Sequence, residues 1–313
     1  MGTVISASRR TDIPRLYSEW FMRRVRAGYC VVANPFNARQ LSRVSLDAEA
    51  VDAIVFWTKD PRPLMAHQAD LDSRGYRYYF QYTLTDYPRS LEPGLASLET
   101  RVDTFRRLAG AVERERVIWR YDPIVLSEVT DYDYHRRAFE ALAERLRGST
   151  SRVVISVVDV YAHIESMLDQ LGVWGLAPEE DIASRPAFQA LVRDLAQSAE
   201  SRGMEIVSCA EKVDLQPFGV SPGKCVDDDY IERVLGVVVS HKKDPGQRPE
   251  CGCVESKDIG AYDTCTLGCT YCYATRSVAS AQRRRAEHDP DSPSLVGWHD
   301  VVEERVVQQG RLL

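Results

Sequence analysis

Up to about residue 210, short β-rich runs alternate with longer stretches patterned as amphipathic helices, and this alternation limits the fold more than any other feature of the chain. Strand–helix–strand repetition builds a parallel sheet, because each helix returns the chain to the same end of the next strand. The expected strands are Val4–Ala7, Cys30–Ala33, Ala53–Trp57, Tyr78–Thr83, Arg116–Arg120, Val153–Val158 and Met204–Cys209. Helices are expected near 15–27, 61–73, 97–110, 131–147 and 186–202, with a weaker one near 162–170. Seven strands in one series, with no nucleotide fingerprint after the first, point to an α/β fold of the (βα) barrel kind, TIM-like or partial. At 313 residues the chain is long enough for one large α/β domain or two small ones. The division expected is a barrel core over 1–212, a cysteine-rich segment over 213–297 that closes the barrel, and a tail over 298–313.

Barrel sites form at the C-terminal ends of the strands, and here those ends are polar. Ser8-Arg9-Arg10-Thr11-Asp12 follows the first strand, Asn34-Pro-Phe-Asn37 the second and Thr58-Lys59-Asp60 the third. Gln81 and Thr83 lie in the fourth, Arg120-Tyr-Asp122 closes the fifth, Ser156 and Asp159 the sixth, and Cys209-Ala-Glu211-Lys212 the seventh. For any one of them a helix cap or loop ion pair is as good a reading as function. Seven ends in register make a mouth that holds Arg9, Arg10, Lys59, Arg120 and Lys212, enough positive charge for a small anionic substrate.

Eight cysteines are distributed unevenly, with Cys30 alone in the first 200 residues. Cys30 lies in an apolar strand and reads as a small buried hydrophobe. The other seven follow residue 200, and clustered cysteines without a secretion signal point to metal or cluster binding. Three of them, in Cys265-Thr-Leu-Gly-Cys269-Thr-Tyr-Cys272, have CxxxCxxC spacing, so one short loop carries three thiolates for three irons of a 4Fe-4S cube or for a structural zinc site. The remaining Cys209, Cys225, Cys251 and Cys253 are four in number, as a second cluster or a zinc ion requires. Cys251-Gly-Cys253 is closer spaced than zinc knuckles favour, so a second iron–sulfur cluster, a 4Fe-4S by expectation, is preferred.

The cysteine loop, with Tyr271 before its third cysteine, resembles that of the radical SAM superfamily. The resemblance implies a catalytic 4Fe-4S cluster on Cys265, Cys269 and Cys272. It implies an open iron that chelates S-adenosylmethionine, reductive cleavage to a 5'-deoxyadenosyl radical, and Tyr271 packed near the adenine. It also implies an electron donor such as flavodoxin or ferredoxin. In that superfamily the loop follows the first strand, whereas here it lies about forty residues from the end. With Asp258-Ile-Gly-Ala-Tyr262 as strand, the loop, and Tyr273–Glu287 as helix, placed before Val4, the chain reads as a circular permutation of that barrel. Ser8-Arg-Arg-Thr-Asp12, Phe56-Trp-Thr-Lys59, Trp119-Arg-Tyr-Asp-Pro123 and Cys209-Ala-Glu-Lys212, with the cysteine loop, are together similar to an uncharacterised bacterial domain family over residues 3–297.

The function expected is a radical SAM enzyme acting on a small polar, phosphorylated sugar or nucleotide. The second cluster is expected as a sulfur donor, with electron relay as the rival. A (βα) barrel hydrolase or lyase with structural zinc sites, using Asp12, Asp122, Asp159 and Glu211 for acid–base work, is the alternative from another class. No histidine pattern of the HxH or HExxH kind supports a mononuclear zinc hydrolase. The net charge of −6 argues against nonspecific nucleic-acid binding, and Arg283-Arg-Arg285 reads as a solvated helix face. No apolar run reaches the roughly 18 residues of a membrane span. The N-terminus places its apolar run before Arg9-Arg10, the reverse of a signal peptide, so a cytoplasmic location is expected.

Overall fold

A computed structural model describes residues 2–159, 175 and 185–300. Its strands are β1 (Thr3–Ala7), β2 (Tyr29–Asn34), β3 (Asn37–Ser45), β4 (Val51–Thr58), β5 (Tyr78–Thr83), β6 (Val117–Ile124), β7 (Arg152–Val157), β8 (Glu205–Cys209), β9 (Ser221–Gly223) and β10 (Lys257–Asp258). Eight of them form one sheet in the order β10-β1-β4-β5-β6-β7-β8-β9, and every neighbouring pair is parallel. The helices are α1 (Ile13–Leu16), α2 (Ser18–Ala27), α3 (Arg62–Met65), α4 (Gln68–Ser73), α5 (Leu98–Val112), α6 (Tyr132–Arg145), α7 (Pro186–Glu200), α8 (Asp228–Leu235) and α9 (Val278–Ala286). Side-chain caps start many of them where the sequence provides a carboxylate or hydroxyl: Asp12 for α1, Ser97 for α5, Asp131 for α6, Asp227 for α8 and Ser277 for α9.

Strand periodicity of two explains both faces of the sheet. Ile5, Ile54, Phe56, Tyr78, Phe80, Trp119 and Ile155 point to one side, where they form the main core with residues of α2, α5, α6 and α7. Val4, Val55, Tyr79, Ile118, Val154 and Val207 point to the other and pack against Val226, Tyr230, Ile231 and Val254. Two residues further along the strands, that second alternation places Trp57, Gln81, Arg120, Ser156 and Cys209 on one face.

Two expectations need correction. The Cys30–Ala33 strand is not part of the sheet: β2 pairs antiparallel with β3 in a separate hairpin. The Asn34 side chain accepts from the Phe36 amide at 2.9 Å across the tip, so Asn34–Asn37 turns a hairpin and Phe36 is exposed. Nor is a closed barrel found among the described residues, because the edge strands β9 and β10 are not paired with each other. The segment carrying α8 and three of the cysteines packs on the sheet face that a closed barrel would fill from opposite strands.

The helices expected at 15–27 and 61–73 are each broken into two short ones, while 97–110, 131–147 and 186–202 correspond to α5, α6 and α7. The helix expected near 162–170 and the tail beyond residue 300 lie outside the described residues. β9 and α8 were not expected. The late strand is only two residues long, but it pairs with β1 in the register Ile5↔Lys257 and Ser6↔Asp258. Among the described residues no helix is long and apolar enough to cross a membrane.

Candidate functional site

A cavity of about 480 Å³ opens at the C-terminal ends of the parallel strands and is lined by all seven late cysteines. A larger cleft of about 690 Å³ lies at the opposite strand ends, beside Glu113, Ser151 and Gly203, and has no cysteine in its wall.

The cysteine loop is fixed by backbone bonds to the segment after β5. The Gly94 amide donates to the Leu267 carbonyl at 3.0 Å, and the Thr270 amide donates to the Leu91 carbonyl at 3.0 Å. From the other side the Tyr17 hydroxyl donates to the Thr264 carbonyl at 2.7 Å. Gly268 has φ +74°, a left-handed conformation that suits glycine inside so tight a loop. Burial pushes the Cys265 thiol up to about 12 and raises Cys269 and Cys272 as well.

Cys209, Cys225, Cys251 and Cys253 form a second group, assembled from the end of β8, the start of the loop before α8, and the segment before β10. Cys209 Sγ and Cys225 Sγ are 3.0 Å apart. Cys253 Sγ accepts from the amides of Cys225 and Val226, both at 3.3 Å. Arg120 Nη1 donates to Cys225 Sγ at 2.8 Å. Hydrogen bonds from Cys225 and Cys251 hold the Cys253 thiol well down, with the Arg9 charge beside it. A hydrogen bond from Cys225 also lowers Cys209, helped by Arg120.

The expected charged residues fall into distinct roles. Lys59 Nζ donates to Glu92 Oε1 at 2.7 Å and to the Tyr271 hydroxyl at 2.9 Å. Burial alone would neutralise this lysine, but Glu92 and Cys269 hold its pKa above the ordinary value. Glu92, fully buried, is in turn held below its ordinary range by the Lys59 ammonium, and it also accepts from Tyr271 and Thr85. Arg120 is engaged with Asp122 Oδ2 at 2.8 Å and Gln81 Oε1 at 3.2 Å besides Cys225. Asp122 also accepts from Ser156. Asp12 caps α1 through Arg15 N at 2.9 Å and accepts from Lys59 N at 2.8 Å, while burial pushes it up to about 6. Glu211 accepts from Val157 N at 2.7 Å and is pushed up to about 7 by burial. Asp159 pairs with Arg248. Lys212 is exposed and lies outside the cavity wall. Arg9 stacks over the Trp57 ring with Cζ 5.0 Å from its centroid, and Arg10 over Tyr262 at 5.3 Å.

Residues 4–274, which contain every cysteine of both groups, match the family described as a domain of unknown function, DUF1848. The chain belongs to that family. No curated protein is matched.

In this DUF1848 chain the expected site residues are brought to one cavity with two exceptions, Glu211 and Lys212, which are not in its wall. Sequence reading missed Glu92, Gly94, Trp57 and Asp258 as functional positions. Glu92-Pro-Gly94 reads as a turn between strand and helix, and nothing local marks Glu92 as buried. Trp57 had a signal: it lies in the same strand alternation as Val55, so a reading of the sheet face would have placed it in the mouth. Asp258 accepts Ser6 Oγ at 2.9 Å, Ser8 Oγ at 2.7 Å and the amides of Arg9 and Gly260, each at 2.9 Å, and so fastens β10 to β1. Cys30 is buried in the core, as its apolar strand suggested. An Asp228, Asp229 and His241 cluster on α8 and beyond is already held by Lys224, which donates to Asp228 Oδ1 at 2.6 Å.

Proposed function

We propose that this protein is a radical SAM enzyme whose cluster loop comes last in the chain. The observation that carries the reading is the location of Cys265, Cys269 and Cys272 at the C-terminal strand ends, after a short strand that pairs with β1. That is the strand, loop and helix order of the superfamily's first unit, moved to the C-terminus, and the pairing agrees with a circularly permuted, incompletely closed barrel. When bound by these three thiolates, a 4Fe-4S cluster supplies an open iron for S-adenosylmethionine and the reductive cleavage that gives a 5'-deoxyadenosyl radical.

The chain's own residues fit such a group. Among the described residues no three cysteine sulfurs lie within 4.8 Å of one another, whereas four thiolates on one zinc stand about 3.8 Å apart. The loop sulfurs thus form no ready-made zinc cage, while in the four-cysteine group Cys209 and Cys225 are 3.0 Å apart, so the preference for clusters over zinc rests on the loop's spacing and its place at the strand ends. Lys59 has three N–H groups and gives two of them to Glu92 and Tyr271. The third is left for a hydrogen bond beside Cys269, from an ammonium whose charge Glu92 already balances. Tyr271 is buried against Tyr87 and hydrogen-bonded to Glu92, so its ring forms a fixed apolar floor against which an adenine would pack.

The four-cysteine group would hold a second cluster. Four protein thiolates leave no iron open, which favours electron relay. Sulfur donation to a phosphorylated sugar or nucleotide stands as the second reading, because both cysteine groups line one cavity and a substrate there would reach both. The test is anaerobic reconstitution, iron analysis and assay of 5'-deoxyadenosine after reduction with flavodoxin or dithionite. About eight irons per chain with deoxyadenosine is the expected result. Zinc without iron and no deoxyadenosine would overturn it. Labelled sulfide carried into product would decide for donation over relay.

A further inference from the structure

Of the five cations expected at the mouth, three are not available to a ligand as free charges. Lys59 is paired with Glu92 and Arg120 with Asp122, and Lys212 is outside the cavity wall. Arg9 and Arg10, consecutive after β1, are different. Both line the cavity, and neither has a carboxylate within ion-pair distance among the described residues. Each guanidinium lies over an aromatic ring, Trp57 and Tyr262 respectively. Arg9 uses Nη1 on Ser256 Oγ at 3.3 Å, but its Nη2 is buried and has no partner. The indole Nε1 of Trp57 is likewise buried and unpartnered.

Orphaned polar groups in one cavity wall, Arg9 Nη2 and Trp57 Nε1 together with Thr11 Oγ1, are costly, on the order of 1–3 kcal/mol each, unless a partner comes from outside the chain. Arg9 carries a positive charge with no carboxylate paired to it among the described residues, so an anion is the acceptor that suits its free Nη2, with the indole N–H as a second donor. A stacked guanidinium keeps its N–H edge free for oxygen atoms, the geometry in which arginine binds phosphate or carboxylate. Position narrows the source. Tyr273, directly after Cys272, donates its hydroxyl to the Arg9 carbonyl at 2.8 Å, and the Arg9 charge also acts on Cys253 and Cys225. Arg9 therefore stands between the two cysteine groups, with Arg10 next to it in the chain and in the same cavity wall.

We infer that Arg9, Arg10 and the Trp57 indole form an oxyanion subsite that holds the phosphate or carboxylate of the substrate between the two cysteine groups. This rests on the radical SAM reading and gives its substrate an anchor. The aromatic rings of Trp57 and Tyr262 give the subsite apolar walls next to the charge, a combination suited to a phosphorylated molecule with a flat or apolar face.

Phosphorus-31 relaxation of inorganic phosphate and pyrophosphate, measured with the anaerobically reconstituted and reduced protein, tests the proposal. A paramagnetic cluster relaxes phosphorus only when the anion binds close to it. Saturable relaxation enhancement is expected, weakened at least tenfold in apparent affinity by Arg10→Met and reduced by Trp57→Phe, which keeps the ring and removes the donor. Iron content serves as the control for folding, and Arg10 makes no hydrogen bond through its guanidinium that folding would need. If iron is absent, the radical SAM reading itself fails. With iron present, the subsite is refuted by no enhancement, or by enhancement unchanged in both variants. Loss of the enhancement on adding S-adenosylmethionine would assign the subsite to that molecule's carboxylate and overturn its assignment to substrate.

Discussion

Lys59 and Glu92 form a mostly buried pair, their side chains 14% and 1% exposed, and Lys59 is the nearest cation to the carboxylate. Lys59→Met removes the nearest cation and leaves the Glu92 carboxylate with the Arg101 guanidinium 3.7 Å away and the hydroxyls of Thr85 and Tyr271. Breaking a buried pair by deleting one partner costs about 3–5 kcal/mol, most of it from the charge left behind. Unfolding entropy near 2.1 cal/mol/K per residue gives roughly 0.66 kcal/mol/K for this chain, so 4 kcal/mol corresponds to a melting temperature lower by about 6 °C. Glu92→Gln should cost a similar amount, because it strands the ammonium. The double variant Lys59→Met/Glu92→Gln strands no ammonium and leaves only the Arg101 guanidinium without its carboxylate, still bonded to the Ala96 and Thr85 carbonyls, so its loss in melting temperature should fall well short of the sum. Differential scanning calorimetry of the four reconstituted proteins measures this directly. Additive single effects, or a Lys59→Met protein within about 1 °C of the parent, would refute the argument that this pair is a coupled buried unit.

Three further outcomes follow from the site. In Gly94→Ala, a new Cβ would sit 2.2 Å from the Leu267 carbonyl oxygen, which is backbone and must move; the loop should lose more than half of its iron while the far-ultraviolet circular dichroism is unchanged. Replacing Cys265, Cys269 and Cys272 together by alanine should leave about four irons per chain, and Cys225→Ala should leave the loop's four, if the two groups bind independently. His135 is buried neutral, with burial lowering it to about 4 from 6.5. Its folded form binds the proton less readily than the unfolded chain, so this contribution to stability is complete above pH 6.5 and is lost as the pH falls towards 4. The loss amounts to about 3 kcal/mol at most, and chemical denaturation across that range should show a slope that His135→Gln removes.

How much of this was legible in sequence depends on whether the signal was local. Strand alternation fixed six of the sheet strands, because β-rich runs such as Ala53–Trp57 carry their own propensity. Cys30–Ala33 carries the same propensity and still joined a hairpin, since the choice of partner strand is set by the Asn34-Pro-Phe-Asn37 turn and not by the run itself. Closure of the barrel was not readable, because it depends on what covers the second sheet face. The cover comes from Val226, Tyr230, Ile231 and Val254, which are distant in sequence from the strands; Tyr230 and Ile231 are the buried side of the short capped helix α8, but an amphipathic pattern does not say which sheet face it will cover. Cysteine spacing was legible at the loop, where three ligands fall within eight residues. For Cys209, Cys225, Cys251 and Cys253 only the number was legible, and the sheet's geometry brings them together. Glu92 was invisible for the same reason: a carboxylate in a turn looks solvated until Lys59 and Tyr271, 33 residues before it and 179 after, are found against it.

A loop that comes last in the chain can act beside the first strand only if something other than chain continuity holds it there, and Asp258 is the group positioned to do so. Its Oδ2 accepts Ser6 Oγ and the Arg9 amide, and its Oδ1 accepts Ser8 Oγ and the Gly260 amide. An asparagine is nearly isosteric but has one acceptor oxygen, and whichever way the amide turns, its NH2 meets a backbone N–H that cannot reverse. The serines can rotate to accept; the amide of Arg9 or Gly260 cannot. Asp258→Asn should therefore lose one charge-assisted bond and leave one buried donor facing another, a cost of roughly 2–3 kcal/mol concentrated at the junction of β1 and β10. The junction is close-packed, since a Cβ added to Gly260 would lie 2.0 Å from Ser8 Oγ. The expected result is faster proteolytic cleavage within 257–287 and loss of loop iron, with the main core still protected in amide hydrogen exchange. Should Asp258→Asn keep its loop iron and its protease resistance, the short strand and the loop's own bonds to Leu91 and Gly94 would be sufficient, and the latch would have no part in placing the cysteines.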